Sequence, residues 1–210
     1  MTTLVVAGAV REAYPEVLVA VLIAEGLDSG GDWDDAARPA LTPACEDDPA
    51  IAAWHAVYRR FGTNPRRMRP SVEALSRRLA RTGALPRINA PVDAYNWVSV
   101  RFVVAAGAFD LDAVRGDVVL REARDGDWFT PLGEPDTVEH PRSGEIVYAD
   151  DVSVLTRHWN YHDAERTKVT SSSRDVMFLL ESADGAARLD EAVHALREMV
   201  APHATSVRSL

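Results

Sequence analysis

The sequence predicts a mixed α+β fold in which helices pack on a central mixed sheet within a single compact domain. Its 210 residues, 47% of them hydrophobic, suffice for one core of ordinary size. Apolar runs of strand length occur near the start and in the second half, whereas the middle carries apolar residues at helical spacing. We therefore expect residues 1–210 to form one domain, and the composition excludes a disordered or collagen-like chain.

The first fifty residues contain two strand-like runs, residues 3–10 and 17–24, separated by Tyr14-Pro15. Both runs are rich in β-branched residues, so they predict two buried strands of one sheet. After the polar break at residues 28–32, a helix is expected to begin near Trp33.

Three helices are predicted in the middle of the chain. Asp48 is suited to cap the first helix, and Pro49 is suited to its first turn. The apolar residues of this helix recur every three or four positions, at Ile51, Trp54, Tyr58 and Phe61. A second helix is predicted from Pro70 to residue 81, closed by Gly83, and a third over residues 91–107.

From residue 117 onward the hydrophobic pattern changes from helical to strand-like. Runs divided by turn residues predict strands at residues 118–120, 146–148, 152–159 and 176–180. A final helix is predicted over residues 186–200, because its apolar side chains form one stripe. The second half is therefore expected to be mostly sheet.

The charge of the chain is unevenly distributed. The 23 basic and 32 acidic residues give a net charge of −9, so we expect no DNA partner. Residues 59–87 nevertheless hold nine arginines and one glutamate, a local charge of +8. Six of them are candidate nucleic-acid-binding residues: Arg66, Arg67, Arg69, Arg77, Arg78 and Arg81. The cluster is either a phosphate-docking face or the solvated side of an amphipathic helix.

Several other classes of site are excluded. No apolar run approaches the ~18 residues of a membrane helix, and no basic region precedes the apolar N-terminus, so we expect a cytoplasmic protein without a membrane partner. Cys45 is the only cysteine, which excludes an internal disulfide. His158 and His162 are four residues apart, a spacing that joins two metal ligands on a helix but not on a strand. There is no phosphate-binding glycine loop and no serine-hydrolase elbow, so we predict no metal and no cofactor.

Seven short segments together resemble one known family. They are YRRFG at 58–62, RPSVEAL at 69–75, LPRIN at 85–89, VDAYN at 92–96, FDLD at 109–112, GEIVYAD at 144–150 and RHWN at 157–160. Their order and spacing resemble stand-alone proteins that contain the B-three/B-four domain of the phenylalanyl-tRNA synthetase β subunit, over roughly residues 54–181. In the synthetase this domain hydrolyses the ester of tyrosine wrongly attached to tRNA. The resemblance therefore implies that fold, with tRNA or aminoacyl-tRNA as a partner.

The resemblance also implies a set of site residues. Glu181 is the best-matched polar residue and is expected to be catalytic. The expected substrate-binding residues are Asp93, Asn96, Gly107, Phe109, Arg157, Trp159 and Asn160. Gly107 is a departure, because the synthetase places a pocket histidine there. If the site descends from one that recognises an amino acid, Asn96, Arg157, Asn160 and Glu181 should line one concavity.

The residues leave two functions open. Glu181 can orient a water or bind an amino group, or it is an ordinary strand carboxylate. Arg157, Trp159 and Asn160 can hold a carboxylate or ribose, or they are a buried tryptophan with surface neighbours. The first function is a tRNA-interacting, editing-like domain that hydrolyses mischarged aminoacyl-tRNA in trans. The alternative is a small-molecule, amino-acid-like binding protein with neither catalysis nor a tRNA role.

Overall fold

The computed structural model describes residues 2–31, 33 and 38–210, which form two β-sheets and five α-helices. The five-stranded sheet runs in the order β1 (Leu4–Val6), β4 (Val118–Glu122), β5 (Ile146–Ala149), β6 (Val154–Arg157) and β7 (His162–Asp163). The four-stranded sheet runs in the order β3 (Ala105–Asp110), β8 (Val176–Ser182), β2 (Leu18–Glu25) and β9 (Ser206–Ser209). Strands β1 and β4 pair in parallel, and the other pairings are antiparallel. The mixed α+β class is thus confirmed, with two sheets instead of one central sheet.

The helices are α1 (Gly8–Ala13), α2 (Pro49–Arg60), α3 (Ser71–Thr82), α4 (Ala90–Phe102) and α5 (Ala186–Val200). The sequence signals for α2 and α3 are confirmed. At the start of α2, the Asp48 side chain accepts a hydrogen bond from the backbone N–H of Ala50. Gly83 ends α3 in the left-handed conformation at φ 74°, which glycine adopts without steric cost. The C-terminal helix also lies at the predicted residues. Among the described residues, no helix has both the length and the apolar character needed to cross a lipid bilayer.

The N-terminal prediction of two strands in one sheet is wrong. Only Leu4–Val6 is strand within residues 3–10, and the chain enters α1 at Gly8. Strand β1 pairs with β4 in the five-stranded sheet, whereas β2 pairs with β8 and β9 in the other. The apolar run therefore combines a strand with a helical turn that buries Val10. The helix expected near Trp33 falls largely on residues 34–37, which lie outside the described residues.

The third predicted helix ends earlier than expected. Helix α4 stops at Phe102, and Val103 turns the chain with φ 56°, a strained value for a β-branched residue. Residues Ala105–Asp110 then form β3, paired with β8. Gly107 consequently lies on a strand opposite Leu179 and not on a helix.

The side chains of β8 alternate between two cores. Phe178 and Leu180 pack in a cluster with apolar residues of α4 and α5. Met177 and Leu179 pack in a second cluster that includes residues of β4, β5 and β6, so this cluster lies between the two sheets. Burial of each of these side chains contributes roughly 1.5–3 kcal/mol. The period of two residues places Glu181 on the face that looks toward the five-stranded sheet.

Candidate functional site

A cavity of about 50 Å³ lies between the two sheets, and Glu181 lines it. Strand β3 contributes Gly107 and Phe109, β5 contributes Tyr148, and the turn after β6 contributes Trp159 and Asn160. Its volume is enough for a few water-sized groups, well below the 300–1,000 Å³ of a typical ligand pocket.

The Glu181 carboxylate is held by three neutral donors. It is 2% exposed. Its Oε1 accepts from the Tyr148 hydroxyl and, over 2.9 Å, from Nε1 of Trp159. Its Oε2 accepts from Nδ2 of Asn160 over 2.9 Å. Burial raises the pKa of Glu181 to about 7 despite these hydrogen bonds, because desolvation penalises the charged form more than they favour it.

The β6–β7 turn aims Trp159 and Asn160 at this carboxylate through an unusual backbone. His158 has φ 48° and Trp159 has φ 69°, both in the left-handed region. Such positions cost roughly 1–3 kcal/mol each and persist where surrounding contacts impose them. Here the Trp159 N–H donates to the Ile146 carbonyl over 2.7 Å, and the Ser71 N–H donates to the Asn160 carbonyl over 3.1 Å.

The ring of His158 stabilises the same turn and is not available as a free base. Its Nδ1 hydrogen-bonds with Oγ1 of Thr63 over 2.8 Å. Burial lowers the pKa of His158 to about 4, so the ring is neutral at physiological pH. Among residues 2–31, 33 and 38–210, no group of three or more histidine, cysteine, aspartate or glutamate side chains is arranged to hold a metal ion.

A second carboxylate lines the cavity. Oδ1 of Asp163 accepts from Oγ1 of Thr156 over 2.8 Å, and burial raises the pKa of Asp163. Ser71, at the start of α3, also lines this cavity. Its oxygen is buried and has no hydrogen-bond partner among the described residues.

Five of the eight residues expected from the sequence line the cavity: Gly107, Phe109, Trp159, Asn160 and Glu181. The other three do not. Helix α4, which carries Asp93 and Asn96, packs on the Phe178 face of the four-stranded sheet, opposite the face of Glu181. This corrects the expectation of one shared concavity.

Asp93 and Arg157 are engaged in other contacts. Asp93 accepts from the Ile88 N–H over 2.8 Å and pairs with Arg87, which anchors the first turn of α4. Arg157 forms a bidentate pair with Glu145, at 2.9 Å from Nε and 2.7 Å from the Nη2 nitrogen, and a further pair with Glu139. These contacts fix the end of β6 and leave Arg157 outside the cavity lining.

Sequence reasoning missed Tyr58, Tyr148, Asp163 and Ser71. Tyr58 donates its hydroxyl to Oδ1 of Asn160 over 2.7 Å, although 102 residues separate them. Both tyrosines look like ordinary apolar positions of a helix and a strand, since their polar ends meet partners only after the two sheets assemble. Burial, together with the charge of Glu181, raises the pKa of both hydroxyls well above the usual value.

The arginine-rich segment forms a surface that begins beside the cavity. Arg66, Arg67, Arg77, Arg78 and Arg81 are exposed. A groove of about 720 Å³ along α3 is lined by four of the six candidates: Arg69, Arg77, Arg78 and Arg81. Arg69 and Arg77 also pair with Glu73, and Arg77 pairs with Glu46, so part of the positive charge is neutralised internally. Because α3 starts at Ser71, the groove and the cavity share this helix.

Comparison with known proteins relates this arrangement to a family. The family model of the B3/4 domain matches residues 53–199, which confirms the resemblance and extends it through most of α5. An N-terminal fragment of the phenylalanyl-tRNA synthetase β-subunit from Pyrococcus horikoshii has a similar structure, with a TM-score of 0.54 and 15% identity. The match covers 99% of this chain and 50% of that fragment, so this chain spans about half its length. At this identity the likeness shows the fold alone. No curated protein matches the sequence. Since the family model covers well over half of the chain, the protein belongs to the B3/4 domain family.

Proposed function

We propose that this protein is a tRNA-interacting, editing-like domain that receives the aminoacyl end of tRNA at the Glu181 cavity and hydrolyses mischarged aminoacyl-tRNA in trans. The observation that carries the proposal is a buried carboxylate with a pKa of about 7, at a cavity whose wall includes the first residue of an arginine-lined helix. The family membership adds a tRNA-related fold.

The chemistry requires little of the protein, because an aminoacyl ester is already reactive. A carboxylate with a pKa near neutrality is well matched to general-base catalysis. Glu181 takes a proton from water as the water oxygen bonds to the ester carbonyl carbon. The carbon–oxygen bond to the ribose then breaks, and the ribose oxygen receives that proton. The cavity offers space for the water, while the Ser71 hydroxyl is a donor for the developing oxyanion.

The arginine groove supplies a route for the nucleic acid. Each phosphate that an arginine neutralises releases a counterion, so a local positive face suffices in a protein of net charge −9. The tRNA backbone is proposed to lie along α3 with its 3′ end toward Ser71. Arg66 and Arg67 are exposed in the loop just before that helix, where they extend the same face.

Specific observations favour the alternative function, a small-molecule binding protein without catalysis. Three donors already hydrogen-bond to the Glu181 carboxylate, which is consistent with a structural role for this side chain. The cavity of about 50 Å³ also admits only a small group. In this alternative the amino-acid-like ligand is bound and not hydrolysed.

The test is a deacylation assay on a panel of mischarged aminoacyl-tRNAs with the parent and Glu181→Gln. We expect slow turnover that falls at least about tenfold in Glu181→Gln. Glu191→Gln on α5, where the glutamate is exposed, is the matched control and should retain the parent rate. Equal rates in the parent and Glu181→Gln would show that Glu181 is not the general base. The absence of turnover with every substrate would support the alternative, a binding protein without catalysis.

A further inference from the structure

The cavity presents two carboxylates and no cationic side chain. Glu181 and Asp163 both line it, and its described lining residues include no lysine, arginine or histidine. Burial is the main cause of the raised pKa of Glu181, and the charge of Asp163 adds to it, so the two groups are close enough to repel each other. Negative charge concentrated in a partly desolvated space is stabilised by a positive group of the ligand.

The remaining hydrogen-bonding capacity points to a donor with several protons. A carboxylate offers about four lone-pair directions, and Asp163 uses one of them for Thr156. The buried Ser71 oxygen is a further acceptor without a partner among the described residues. The rings of Trp159 and Phe109, both 1% exposed, add aromatic surface of the kind that attracts cations.

We propose that this cavity is a subsite for the primary ammonium group of the ligand, with Asp163 as its specificity-determining residue. The inference rests on the proposed function only in naming the ligand as an aminoacyl ester, because an amino-acid-like ligand of a binding protein carries the same group. An ammonium group is close to water in size, which fits about 50 Å³, and the remainder of the ligand extends past Tyr161, which is 40% exposed at the rim.

A divalent metal ion suits the cavity less well. Such ions take six or more oxygen ligands, usually with several carboxylates or waters. Here both oxygens of Glu181 already accept hydrogen bonds from Tyr148, Trp159 and Asn160. The described residues also lack a third metal-ligating side chain at this position.

The binding test uses two small probes of nearly equal shape, L-alaninamide and L-lactamide, which differ in having an ammonium or a hydroxyl group. Titration calorimetry or ligand-detected NMR at neutral pH should show at least about tenfold tighter binding of alaninamide, as expected for a charge-assisted contact. Asp163→Asn should abolish the preference while keeping an oxygen for the Thr156 hydroxyl, and Ser71→Ala should weaken it. Asp190→Asn, an exposed aspartate on α5, should leave it unchanged.

Equal binding of the two probes, binding of neither, or saturable binding of Mg²⁺ or Ca²⁺ that Asp163→Asn removes would overturn the subsite. A second assay separates this inference from the proposed function by comparing aminoacyl-tRNA with its N-acetylated form. Hydrolysis of both at equal rates would support the hydrolase function and contradict the ammonium subsite. A preference for alaninamide without hydrolysis of any aminoacyl-tRNA would support the subsite and contradict the hydrolase function.

Discussion

Tyr58 on α2 donates its hydroxyl proton to Oδ1 of Asn160 over 2.7 Å, and this contact determines which way the Asn160 amide faces. With Oδ1 occupied, the Nδ2 group is left to donate to Glu181. A tyrosine distant in the sequence thus orients a donor of the candidate catalytic carboxylate. The chain of contacts links α2, the β6–β7 turn and β8.

The first prediction concerns this link. Tyr58→Phe removes the donor and leaves a buried amide oxygen unsatisfied, which should cost about 1–3 kcal/mol of unfolding free energy. Urea denaturation measures the change. Tyr161→Phe is the matched control, because Tyr161 is 40% exposed at the cavity rim, and it should change stability by less than about 0.5 kcal/mol. A Tyr58→Phe protein as stable as Tyr161→Phe would show that the contact contributes no stability.

The second prediction concerns pH. The pKa of Glu181 is raised to about 7 in the folded state from its ordinary 4.5. Between pH 4.5 and pH 7 the folded protein therefore keeps a proton on Glu181 that the unfolded chain has released. The stability that this proton contributes is fully present below pH 4.5 and is lost as the pH rises through 7. This shift corresponds to roughly 3 kcal/mol.

Denaturation midpoints between pH 5 and pH 8 measure this dependence. The parent should lose stability across the range, and Glu181→Gln, which has no proton to lose, should show a flatter profile. The comparison concerns the slope and not the absolute stability, because glutamine also disturbs the hydrogen bond from Asn160. Parallel slopes in the two proteins would contradict a raised pKa at Glu181.

The third prediction uses the departure at Gly107. A Cβ atom built on Gly107 meets nothing within 4 Å, so a methyl group fits there. Gly107→Ala should be neutral or stabilising by up to about 1 kcal/mol, because glycine within a strand costs conformational entropy. Gly107→His introduces the histidine that the resemblance to the synthetase implies at this position and should raise the deacylation rate at least about tenfold above Gly107→Ala. Equal rates for the two variants would argue against a hydrolytic site at this wall.

The local parts of this fold were predictable from the sequence because they depend on neighbouring residues. The Asp48 cap, the Gly83 stop and the C-terminal helix each follow from a few adjacent positions. The division of β1 and β2 between sheets was not predictable, since strand pairing joins Leu4 to Val118 across the chain. The expectation that residues 1–210 form one domain stays a prediction.

The candidate site also contains residues that were predictable from the sequence and residues whose position depends on the assembled sheets. Glu181 and the turn residues Trp159 and Asn160 were found through the resemblance, and the structure places all three at one cavity. Asn96 was not placed correctly, because the first residues of β3 were expected to continue the helix and the sheet separating α4 from Glu181 was not anticipated. Asp163 was missed, since its role depends on the cavity that it lines. The functional roles of these residues remain proposals.

The last prediction concerns the arginine groove. If α3 and the preceding loop dock tRNA, binding should be weak at physiological salt and should fall steeply as salt is raised. The variant Arg66→Glu/Arg67→Glu/Arg78→Glu changes three exposed arginines for which no ion pair is seen among the described residues, so it should abolish binding without disturbing internal pairs. Filter binding across a salt series measures this. The control Arg101→Glu/Arg124→Glu/Arg174→Glu changes the net charge equally at exposed positions elsewhere and should retain most of the affinity. An equal loss in both variants would indicate a response to net charge alone, and undetectable binding of the parent at low salt would leave a ligand-binding domain without a tRNA role.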